Sequence, residues 1–196
     1  MLRTALPLVL FFLIFSNCSD GEDNNNKTNN FFTIDGEKFS IAHAGISDFG
    51  IDPSNDIYKG NFLVLLFATE GVDFNTGPNG DLLLEGTGAI MGLVTFSDTM
   101  DYLEDGSYFL NLRPPFQKGD VSIGFYTTSF DSKLVKGPYF DYEGTPLLSG
   151  KMTVNHSKEK TLVVMNMIDE IGNKINTNFD GKLDLLTYSI PPKILQ

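Results

Sequence analysis

The sequence predicts an all-β protein: two antiparallel sheets packed as a β-sandwich of jelly-roll or immunoglobulin-like character, with a lipocalin-like β-barrel as the alternative. Three observations lead there. Beyond residue 30 the apolar residues fall in short runs bounded by Gly, Pro, Asn and Asp, which is the punctuation of strands and turns. No long segment in that region keeps a helical period. From Lys174 the alternation is strict, with Ile175, Thr177, Phe179, Gly181, Leu183 and Leu185 on one face and Lys174, Asn176, Asn178, Asp180, Lys182 and Asp184 on the other. A period of two over that length fits a half-buried antiparallel strand.

Taken in order, residues 31–44 read as a hairpin, because Asp35-Gly36 tolerates the positive φ angles of a tight turn. Residues 47–55 are expected as loop. Residues 57–69 form the most apolar run, unbroken from Phe62 to Phe67, and a strand apolar on both faces is expected to be central and covered twice. Residues 69–81 carry Gly71, Gly77, Pro78 and Gly80 and read as a long turn; residues 82–96 resume as strand, with a bulge or bend at Gly86 and Gly88. Residues 97–106 are an acidic connection with room for one helical turn. A strand over 106–112 is stopped by Pro114-Pro115, another spans 121–130, and 136–144 is an aromatic loop or edge strand. Residues 148–187 read as a three-stranded meander, its first turn at His156-Ser-Lys-Glu-Lys160.

The chain has 196 residues, 41% of them hydrophobic and 20% charged, so the part after the leader suffices for one core. The β domain is placed at 31–190, with 191–196 as a C-terminal tail. A formal net charge of -11 argues against nucleic acid, whose phosphates need a basic patch, and against adsorption on anionic lipid.

The leader carries the sharpest signal. Arg3 precedes an apolar stretch from residue 5 to residue 16, well short of the roughly 20 residues that cross a bilayer. Residues 1–17 therefore read as a signal peptide. Cys18, the sole cysteine, follows directly. Phe15-Ser16-Asn17-Cys18 resembles a bacterial lipobox, with Phe15 where that family prefers Leu and Asn17 where it prefers a small residue. Ser19, Asp20, Glu22 and Asp23 are similar to the acidic export signal of Bacteroidota-type surface lipoproteins. The resemblance implies a diacylglycerol on the Cys18 thiol, acyl chains such as palmitate holding the protein to the membrane, and display on the outer face of the outer membrane. An incidental Cys18 gives the alternative, a secreted or periplasmic protein. Residues 18–30 then form a polar tether, since Asn24 to Asn30 offer nothing apolar to pack.

Within the domain no motif names a reaction. His43 and His156 lack metal-ligand spacing, no nucleophile elbow occurs, and no cofactor is implied. Asp73, Asn75 and Asp81 alternate as in a calcium loop, but Pro78 and Leu84 fill positions where an EF-hand has Gly and Glu. Asp98, Asp101, Glu104 and Asp105 are a second weak candidate; a solvated turn accounts for each. Tyr126, Tyr139 and Tyr142 are candidate glycan contacts, because aromatic rings stack on sugars. Asp98-Thr99-Met100 resembles the Asp-Ser/Thr-apolar acceptor for protein O-glycosylation in the same bacterial group, which implies modification at Thr99. The reading is a lipid-anchored, non-catalytic domain binding a polysaccharide or an envelope protein. The alternatives are a glycan hydrolase with paired carboxylates and a structural subunit of the envelope.

Overall fold

The computed structural model describes residues 29–48, 60–77, 82–134 and 144–186, and within them every regular element is a strand. The first hairpin joins β1 (Phe31–Ile34) to β2 (Glu37–Ser40) through Asp35-Gly36, with φ angles of 48° and 89°. β3 (His43–Asp48) pairs antiparallel with β4 (Asn61–Ala68). β6 (Leu82–Ser97) pairs with β5 (Val72–Thr76) along its first part and, along its second, with β4 and with the strand over residues 120–131. It changes partner just after Gly86, where φ is 103° and a Cβ would meet the Gly71 carbonyl oxygen at 2.0 Å. Only glycine allows that bend.

β7 (Gly106–Leu110) and β8 (Asp120–Asp131) follow, then the meander of β9 (Thr145–Ser157), β10 (Lys160–Asp169) and β11 (Lys174–Gly181), and finally β12 (Asp184–Leu186). The strands make one ladder in the order β12-β3-β4-β6-β8-β7-β9-β10-β11-β1-β2, with β5 on the flank of β6. Two pairings, β12 with β3 and β7 with β8, are parallel.

This ladder curls until distant strands touch. Phe67 of β4 and Phe179 of β11 lie 5.5 Å apart between ring centroids, and the Thr177 hydroxyl reaches Met91 of β6. Residues 41–42 join the two ends: the Ile41 amide donates to the Asn30 carbonyl and the Ala42 amide to the Ala68 carbonyl. The concave interior is filled by side chains from both halves, including Phe32, Leu65, Met91, Met152, Val163 and Ile175. A second apolar layer lies on the convex side, where Val64, Leu66 and Ala68 pack under Val72, Leu82, Leu84 and Leu186. β4 therefore buries both of its faces, as its unbroken apolar run requires. Each large side chain so buried contributes about 1.5–3 kcal/mol.

Several expectations change. In place of two separate antiparallel sheets there is a single curled, mixed ladder, whose curvature goes part of the way to the barrel alternative. The strand expected to run unbroken through residue 44 divides at 41–42, because those two residues cross from one end of the ladder to the other. Residues 69–81, read as a turn, contain β5. Residues 97–106 hold bends and no helix. The strict alternation ends at Gly181: Leu185 is exposed and Leu186 buried, because the chain leaves β11 and re-enters as a parallel neighbour of β3. The meander, the bend at Gly86 and the first turn stand as expected.

Candidate functional site

At one end of the curled sheet the connection from β6 to β7 meets the β9–β10 turn. Leu103 anchors this connection by burying its side chain completely. The Tyr108 hydroxyl donates to the Glu104 carbonyl, and burial pushes that phenol above its ordinary value. Thr99 Oγ1 donates to the Tyr102 carbonyl at 2.7 Å. His156 ties the loop to the turn. Its backbone amide donates to Asp105 Oδ1, and its Nε2 faces the Leu103 carbonyl. A carbonyl only accepts, so in the neutral ring Nε2 carries the proton and Nδ1 accepts from the Thr161 hydroxyl at 3.1 Å.

Between loop and turn lies an open cleft of about 520 Å³. Asp101, Glu104 and Asp105 stand on the loop side; Lys158, Glu159 and Lys160 come from the turn, and Lys182 from the link to β12. Tyr102 keeps 51% of its surface exposed, with its ring edge-on to His156 at 5.9 Å. Lys118 partly neutralises the acidic loop: its Nζ is 2.6 Å from Glu104 and 3.1 Å from Asp98. Those two carboxylates, Glu104 foremost, hold the ammonium above the usual lysine value. The acidic cluster read as a weak calcium candidate is thus partly an ion-pair cluster with a lysine.

A second, smaller cleft of about 350 Å³ holds His43, Asp73, Phe74, Asn75 and Asp184. His43 Nε2 is 3.7 Å from Asp73 Oδ1. The Asn75 amide donates instead to Glu85 at 2.7 Å, so Asp73 and Asn75 do not converge as a cation loop needs. Among the described residues no group of three or more His, Cys, Asp and Glu has metal-holding geometry. Asp81 lies outside the described residues.

Tyr126 is not an open sugar platform. It is 6% exposed and its hydroxyl donates to Asp169 Oδ2 at 2.7 Å. Burial first, then the neighbouring carboxylate, raises its pKa. Thr99 lies at the cleft loop, half-buried, with its hydroxyl already engaged. Tyr139 and Tyr142, Cys18, and the export-signal residues Ser19, Asp20, Glu22 and Asp23 lie outside the described residues.

Tyr102, Lys158 and Lys182 line the cleft without belonging to any motif of the sequence. One signal was available for Lys158: the two-residue β9–β10 turn carries Lys-Glu where turns of this kind favour Asn-Gly or a first-position glycine. No protein family, curated protein or solved structure matches the chain.

Proposed function

We propose that this chain is a lipid-anchored, surface-exposed binding domain of a bacterial outer membrane, non-catalytic, with a glycan or an envelope protein as its ligand. Of the two expected architectures, the curled sheet favours the barrel-like one, with its interior packed by side chains of the described residues. One observation carries the binding part: the interior is occupied by side chains, while a cleft opens at the rim on a loop fixed by Leu103, His156 and Lys118. A cleft of several hundred Å³ is of the usual size for a ligand site, and this one sets an exposed aromatic ring among charged side chains.

The anchoring part rests on Cys18 and the residues around it. Labelling cells with a palmitate analogue should mark the wild type and not Cys18→Ala, and protease added to intact cells should remove the wild-type domain. Unlabelled wild type, or equal labelling of the variant, would refute the anchor. Complete protection from protease would place the domain on the inner side.

A further inference from the structure

We infer that the rim cleft is a saccharide site, taking an uncharged hexopyranose chain with one ring lying on Tyr102. This rests on the binding-domain reading above and specifies its ligand. Charge on the lining is the first argument. Once Glu104 is assigned to Lys118 and Lys160 to Asp180, the lining leaves Asp101, Asp105 and Glu159 together with Lys158 and Lys182, charges of both signs. Neither sign of charge has the cleft to itself, so a fully charged ligand meets repulsion as well as attraction there. It offers acceptors and donors side by side, which is what a polyhydroxyl ligand uses, since each sugar hydroxyl both donates and accepts. Charged partners make the stronger hydrogen bonds.

The aromatic group is the second argument. Half-exposed Tyr102 lines the cleft with its ring at 83° to that of His156, and a pyranose ring carries its C–H groups on flat faces that an aromatic ring covers. Backbone conformation is the third. Among the described residues three non-glycines have positive φ, and two of them, Asp101 at 57° and Lys158 at 34°, line this cleft. Aspartate tolerates that region, but a lysine in the first position of a two-residue hairpin turn stands where glycine would be unstrained. Strain kept at a cleft marks a side chain retained for contact rather than for the turn.

Asn30 brackets the Asp180 backbone, its amide donating to the carbonyl and its Oδ1 accepting from the N–H, and Lys160 of the cleft lies 4.0 Å from the Asp180 carboxylate. The chain therefore enters the fold beside the cleft. Two sources of the same chemistry are within its reach: soluble polysaccharide and the glycan of a membrane glycolipid.

Full-length protein in detergent micelles would be titrated with maltohexaose, cellohexaose and mannohexaose, and with neutral glycan released by mild acid from outer-membrane glycolipids, read by isothermal calorimetry and saturation-transfer NMR. Binding of at least one probe is expected, with Tyr102→Ala weakening it roughly tenfold or more. Tyr102→Phe should retain the affinity. Lys158→Gly should raise the melting temperature and weaken binding, separating turn strain from ligand contact. Preference for the released glycan assigns the membrane source; preference for a hexaose assigns the soluble one. No binding by any probe overturns the inference, and so does binding that Tyr102→Ala and Lys158→Gly leave unchanged. In that last case the binding-domain reading survives with its site elsewhere.

Discussion

Asp169 shows how a carboxylate survives burial. It is 2% exposed, and its oxygens accept from the Tyr126 hydroxyl, the Ile171 and Asn173 amides and the Asn173 side chain at 2.7–3.0 Å. Desolvation alone would raise its pKa, but these donors together hold it below the ordinary 3.8. A depressed carboxyl stabilises the fold fully above the unfolded value and loses that contribution as pH falls through the folded one. Melting temperature should therefore decline below about pH 4, and more steeply in the wild type than in Asp169→Asn. At pH 7 Asp169→Asn should cost about 2–3 kcal/mol, since it turns an acceptor into a donor facing other donors. Parallel acid limbs in urea melts of the two proteins would refute this role. Sequence could not show it, because Tyr126 and Asp169 are 43 residues apart and the alternation around each suits core and surface alike.

At the scale of elements, β6 depends on Gly86. Gly86→Ala combines a positive φ with a Cβ driven into the Gly71 carbonyl, and should cost roughly 2–4 kcal/mol by forcing β5 away from its partner. Denaturant titration, with hydrogen exchange to locate the loss at residues 72–76, checks it; an unchanged midpoint would show that the bend relaxes freely. Gly86 was legible as a break in a strand, and so were the first hairpin and the meander, because turn chemistry and a period of two are local. β5 was hidden by composition: Val72 and Phe74 do alternate with Asp73 and Asn75, but the glycines on either side read as turn. The parallel contact of β12 with β3 links residues far apart in sequence through three registered positions, too short a run to leave a pattern. The cleft was invisible for the same reason, since loop 98–105, turn 158–159 and Lys182 meet only after the sheet has curled.

Over the whole molecule charge is unevenly spread. The span from β3 to β8 carries Asp98, Asp101, Glu104, Asp105, Asp120 and Asp131 among its acids, against Arg113 and Lys118 among the described residues. Net charge of -11 implies self-repulsion that added salt screens. Raising sodium chloride from low to physiological strength and beyond should lift the melting temperature by a few degrees, on the order of 1 kcal/mol. A melting point that fell with salt would mean that attractive pairs such as Lys118 with Glu104 outweigh the repulsion. The curled ladder has one more consequence, a mechanical one. A pull on the chain ahead of Phe31 enters the fold at β1, which is bonded along its length to β11 on one side and β2 on the other and seats Phe32 in the filled interior. Because residues 41–42 tie that hairpin to β4, traction on the N-terminus is shared with a strand near the opposite end of the ladder instead of falling on the hairpin alone.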